Sequence, residues 1–130
     1  MDEPVFFVSH FRIKEGSLDP LRSMTRESAA RLEAEKPRTV LFLSFINPDA
    51  SVISYLHAFT DAESMDVHFV GAEERALAAY EHLEALGWEV YGKPSPSAIE
   101  ALQRAASTAG VTVTLHPEFA AGFLRLKSGG

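Results

Sequence analysis

The sequence predicts one α+β domain of the ferredoxin-like split β-α-β type, built on an antiparallel sheet. Three observations lead there. Strand-type segments occur at 5–13, 39–47, 51–59 and 88–91, and helix-type apolar stripes fill the intervals after the first and third of them. The resulting order over the first ninety residues is β-α-β-β-α-β. At 130 residues the chain is long enough for one ordinary hydrophobic core and too short for two comfortable ones, so residues 1–130 are read as a single domain.

The first segment, Val5–Ile13, is rich in aromatic and β-branched residues, and its alternation puts Phe7, Ser9, Phe11 and Ile13 on one face. Gly16 breaks it. Asp19-Pro20 then offers an N-cap followed by the residue favoured in a first helical turn, and Leu18, Leu21, Met24, Ser28, Ala29 and Leu32 form one amphipathic stripe ending before Pro37. Strand 39–47 and strand 51–59 flank the turn cluster Asn47-Pro48-Asp49-Ala50, which predicts an antiparallel hairpin. In its second strand Ile53, Tyr55, His57 and Phe59 share a face.

Thr60-x-x-Glu63 has the spacing of a capping box and predicts the start of a second helix, with Met65, His68 and Phe69 on its inner side. Gly71 interrupts that helix. Ala76, Leu77, Tyr80, Leu83 and Leu86 continue its stripe to Gly87, after which 88–91 reads as a short strand. Beyond this core, about 5–91, a C-terminal helix-strand extension covers about 92–130. Ser95-Pro96 opens a helix bearing Ile99, Leu102 and Ala106, Gly110 closes it, and strands are expected at 111–116 and 122–126. The extension has three readings: a cover for a cavity, a completion of the sheet, or an arm reaching a partner subunit.

Twelve basic against eighteen acidic residues give a formal charge of −6 with no basic stripe, so nucleic acid is not expected as a partner. No apolar run reaches the roughly 20 residues that cross a bilayer, and Met1-Asp2-Glu3-Pro4 lacks the pattern of a signal peptide. No membrane partner and a cytoplasmic location are therefore expected. Cysteine is absent, and His10, His57, His68, His82 and His116 are scattered, so no metal site is expected. Ser9, Ser44 and Ser54 lie in strands without a nucleophile elbow, and the glycines form no phosphate-binding loop.

The run Tyr55-x-His57-x-Phe59-Thr60-Asp61-Ala62-Glu63-Ser64-Met65-Asp66-Val67-His68, following a hairpin with an Asn-Pro-Asp turn, resembles the antibiotic-biosynthesis monooxygenase-like family of dimeric α+β barrels. The resemblance spans about residues 5–91. It implies a four-stranded antiparallel sheet, two sheets meeting face to face in a homodimer, and a cavity between sheet and helices. Members similar to it include cofactor-free oxygenases of quinols and aromatic polyketides, haem-degrading enzymes and small-molecule isomerases. His68 matches the histidine that members often carry early in the second helix, which makes it the candidate catalytic residue. Phe59 stands where members often have tryptophan, and the first-strand asparagine of haem-degrading members has no counterpart among Phe7, Ser9 and Phe11.

Those implications give a cofactor-independent monooxygenase of a small aromatic or quinol-like molecule, or an inactive relative. Neutral His68 would take a proton from a phenol, and Tyr55, His57, Phe59, Phe69, Phe11 and Trp88 would bind substrate. No cofactor is expected. The alternative is a non-catalytic dimeric module that binds a hydrophobic metabolite through the same residues. His68 equally suits a structural role, bonded to a backbone carbonyl, and His57 and Tyr55 equally suit an interface. Nine phenylalanines fit an aromatic cavity and a dry dimer core alike.

Overall fold

The structure is a computed structural model and describes residues 3–125. Its elements are β1 (Val5–Ile13), α1 (Leu18–Glu35), β2 (Thr39–Ile46), β3 (Val52–Phe59), α2 (Ala62–Phe69), α3 (Ala72–Ala79), β4 (Leu83–Tyr91), α4 (Pro96–Ala109) and β5 (Val113–His116). They form one sheet in the order β2-β3-β1-β4-β5. β1 is central and antiparallel to both neighbours, with Phe7 opposite His57 on one side and Ser9 opposite Trp88 on the other. The α+β, ferredoxin-like class expected from the element order is the one observed.

The β2–β3 hairpin forms as its turn residues predict. The Asn47 side-chain oxygen accepts from the backbone amides of Ser51 and Val52, both at 2.9 Å, and so replaces ladder bonds that the turn cannot make. The register sets Phe42 opposite His57 and Ser44 opposite Tyr55. In the extension, β5 pairs in parallel with β4 and completes the sheet at that edge. α4 is capped by Ser95, whose hydroxyl accepts from Ala98 N, and ends at Gly110 in the left-handed conformation, as the sequence predicts.

The odd-numbered residues of β1 face the helices. Leu21 of α1 is fully buried with Ile13, Ile53, Tyr55 and Leu83, while Met65 of α2 and Leu102 and Ala106 of α4 pack with Val5, Phe7, Phe59, Trp88 and Val90. The opposite face carries Phe6, Val8, Leu43, Phe45, Ser54 and Leu56, the residues that alternate with the core set.

Four local expectations need correction. α1 starts at Leu18 with Ser17 at the N-cap position, so Asp19 lies in the first turn. Pro20 is then the third helical residue, where a missing N–H still leaves no intrahelical bond unmade. α2 is capped by Asp61 and not by Thr60: the Asp61 carboxylate accepts from Ser64 N at 2.8 Å, while the Thr60 hydroxyl lies 3.1 Å from Ser64 Oγ. The helical stripe ends at Ala79, and Leu83 and Leu86 belong to a nine-residue β4 instead of a helix followed by a short strand. The full length of β1 requires that partner, since Ile13 pairs with Leu83, and a bulge beside Gly87 restores the register. Finally, residues 122–125 form no strand, and Leu126 of the segment expected there lies outside the described residues.

Candidate functional site

The inner sheet face does not meet the helices everywhere. α3 and α4 turn alanines toward it, including Ala72, Ala76, Ala79, Ala101 and Ala105, and small side chains opposite large aromatic ones leave a cavity of about 560 Å³. Gly71, at φ +80°, breaks the chain between α2 and α3, so α3 leaves the line of α2 and flanks this space. Phe7 and Phe11 of β1, Phe42 of β2, Tyr55 of β3 and Trp88 of β4 supply aromatic lining. His57 enters from β3, and His68 and Phe69 from α2.

Of the residues expected to touch a substrate, Tyr55, His57, Phe69, Phe11, Trp88 and His68 all line this cavity. Phe59 does not. It is fully buried behind the wall, with its ring 6.3 Å from that of His57 and 5.1 Å from that of His68, and supports both from beneath.

The two histidines meet edge to face, with ring centroids 4.9 Å apart. His68 Nδ1 lies 2.7 Å from the hydroxyl of Thr39, which the β2–β3 register places beside α2. Burial lowers the His68 pKa from its ordinary value of 6.5 to about 3, and the nearby His57, Arg75 and Lys36 push the same way. Burial also lowers His57 to about 4; a hydrogen bond with the Phe7 backbone opposes this, and the Arg75 charge adds to it. Both rings are therefore neutral at neutral pH, and each keeps one nitrogen lone pair.

Tyr55 contributes a phenol held 2.9 Å from Thr25 Oγ1. Burial raises its pKa, and the Thr25 bond opposes this, so the hydroxyl stays protonated. Phe42 stacks on its ring at 5.7 Å. Arg75 reaches back along the cavity wall, where Nη2 donates to the His68 carbonyl at 2.7 Å and Nη1 to that of Val70 at 3.1 Å. Lys36 donates to the carbonyls of Val67 and Val70, so the C-terminal end of α2 is held by two cations. Sequence reasoning missed Thr39 and Arg75 as partners of His68, because their proximity comes from hairpin register and from the turn at Gly71, and missed Lys36, which the end of α1 brings to α2.

A second, more open groove of about 720 Å³ lies between α3 and α4 and shares Glu73, Ala76, Tyr80, Leu83 and Ala105 with the cavity. It contains no histidine and is lined largely by alanine and leucine. Among the described residues, no group of three or more histidine, aspartate or glutamate side chains is placed to hold a metal ion. No helix among them is long and apolar enough to cross a membrane.

No protein-family model and no curated sequence matches the chain. Solved structures do. MupZ from Pseudomonas fluorescens superposes with a TM-score of 0.72 at 13% identity over 98% of this chain and 99% of that one, so the likeness takes in the C-terminal helix and edge strand. SnoaB, a cofactor-independent oxygenase from Streptomyces nogalater, gives 0.60 at 18% identity over 72% of this chain and 95% of its own. A protein of Bacteroides thetaiotaomicron provisionally named an antibiotic biosynthesis monooxygenase gives 0.58 at 9% identity over 72% and 90%. The chain has the antibiotic-biosynthesis monooxygenase-like fold. At these identities the likeness carries the fold and no activity.

Proposed function

We propose that the cavity is the active site of a cofactor-independent monooxygenase acting on a small aromatic or quinol-like molecule, with His68 as the proton acceptor. The supporting observation is the convergence of two buried, neutral imidazoles on one aromatic cavity. In this reading His68 Nδ1–H donates a hydrogen bond to the Thr39 hydroxyl, which keeps the Nε2 lone pair for a substrate hydroxyl. The phenolate formed is electron-rich at its ring carbon para to oxygen. Where that carbon carries hydrogen it bonds to O₂, and the resulting hydroperoxide loses water to leave a carbonyl; in a hydroquinone, whose para carbon carries a hydroxyl, the ortho carbon that carries hydrogen reacts in the same way. One oxygen atom ends in the product and one in water, and the substrate supplies all the electrons.

Tyr55 and His57 orient the substrate, and Phe11, Phe69 and Trp88 enclose its ring. The active species in this reading is a homodimer joined through the open sheet face, where Leu43 and Phe45 are about half exposed. The test is oxygen uptake with a panel of hydroquinones and anthrones. We expect uptake by the wild-type protein and a loss of about 100-fold in His68→Ala, the size typical for removal of a general base. Unchanged turnover in that variant would remove His68 from the role. Ligand binding without any oxygen uptake would favour the non-catalytic module, for which the contacts of both histidines with Phe59 are sufficient reason to exist.

A further inference from the structure

We infer that the ligand of this cavity is an apolar organic acid, whose carboxylate lies against the Arg75 guanidinium with Arg31 at the mouth. The inference rests on the cavity being a ligand site, as above, and specifies the class of molecule it takes. Three features carry it.

The first is charge without a partner. Arg75 and Arg31 both line the cavity, and among the described residues neither has a carboxylate within ion-pair distance. Arg75 is partly buried, where an unpaired charge is costly; the Glu35 carboxylate acts on it from beyond ion-pair distance, and Arg31 places a second positive charge on the same wall. Glu27 and Glu73 share the rim but are not ion-paired with either arginine. An incoming carboxylate compensates both guanidinium groups.

The second is spare donor capacity. A guanidinium has five N–H donors, and the carbonyls of His68 and Val70 take one from each terminal nitrogen of Arg75. Those two bonds fix the plane of the group on α2, so the remaining donors are presented by a side chain already ordered, which lowers the entropy lost on binding. The third is the buried Nδ1 of His57, which has no hydrogen-bond partner among the described residues. Buried polar atoms are ordinarily paired. His57 lines the same cavity and feels the Arg75 charge, so the polar end of a ligand held at Arg75 lies beside this ring, while its apolar body lies against Phe11, Phe42 and Trp88.

Isothermal titration of the full chain with 2-naphthoate and with its neutral analogue 2-naphthamide tests this, with quenching of the single tryptophan, Trp88, reporting occupancy of the cavity. Naphthoate is expected to bind about tenfold tighter or better, as a charge-assisted hydrogen bond implies, and to weaken with added salt while naphthamide does not. Arg75→Gln should bring the two affinities within about twofold of each other. Because Arg75 also holds α2, Arg31→Gln at the exposed mouth provides a second variant, expected to cut the preference for naphthoate over naphthamide. Equal affinities in the wild type, or no binding of either compound, overturns the inference. Oxygen uptake with neutral hydroquinones is independent of this outcome, so the two readings fail separately.

Discussion

His57 and His68 tie the stability of the fold to pH through two side chains. In the folded chain their pKa values lie at about 4 and about 3, against 6.5 in the unfolded chain. Between pH 6.5 and about 4 the unfolded chain binds protons that the folded chain refuses, so stability is complete above that window and falls as pH falls through it. Each ring contributes on the order of 3–5 kcal/mol at most across its range. Urea denaturation from pH 7.5 to 4.5 should show a slope approaching about two protons, reduced to about one in His57→Phe, which keeps the aromatic packing and removes one titrating group. A slope unchanged by the substitution would place the titration elsewhere. At this scale much of the candidate site was legible: strand alternation puts Tyr55 and His57 on one face, and the turn of α2 brings His68 toward it. What escaped was polar partnership. Thr39 and Arg75 approach His68 from 29 and 7 residues away, and no local pattern encodes either contact.

Elements were read well where one signal ruled and poorly where two competed. β1, the β2–β3 hairpin, α1 and α4 each carry a clean period and a turn or cap, and each formed within a few residues of expectation. Leu83 and Leu86 satisfy helical spacing as well as strand spacing, and the arbiter was tertiary: β1 presents nine residues that need a partner of equal length. The capping boundary of α2 moved by one residue because Asp61 and Thr60 are both good caps, and Asp61 carries the stronger acceptor. Ser95 shows what such a residue contributes when it also bridges elements. Its hydroxyl accepts from Ala98 N at 3.1 Å and donates to Asp66 Oδ1 at 2.6 Å, joining the start of α4 to α2. Ser95→Ala removes a cap and leaves that carboxylate short of a donor, at a cost of about 1–2 kcal/mol, measurable as a lowered melting temperature. A variant as stable as the wild type would show that the sheet contacts of β5 alone hold the extension in place.

The molecule as a whole is a two-layer fold with helices on one layer face only, and the other face carries the proposed dimer contact. Leu43 and Phe45 of β2 are 45% and 59% exposed there, beside Phe6, Val8 and Leu56. Across the middle of that face runs a polar chain, in which His10 Nδ1 lies 2.7 Å from Ser54 Oγ, His10 Nε2 lies 2.6 Å from Glu89, and Tyr91 donates to Glu89 at 2.7 Å. The polar groups are thus largely satisfied within the sheet, and covering the face costs little unpaired hydrogen bonding. The C-terminal segment does not cover it: β5 adds to the sheet edge, and residues 117–125 are all exposed, Phe119, Phe123 and Leu124 among them. The proposed dimer takes a second copy as the partner, because a two-fold axis presents the same face to itself. Light scattering coupled to gel filtration should therefore give twice the chain mass. Phe45→Lys places a charge in the proposed interface, at an edge-strand position where a monomer tolerates it, and should shift the population to monomer with the circular dichroism spectrum retained. A wild-type chain that stays monomeric at high concentration would mean that this apolar face is stable in water by itself, and the dimeric reading would fall while the cavity on the other side of the sheet remained open to its own tests.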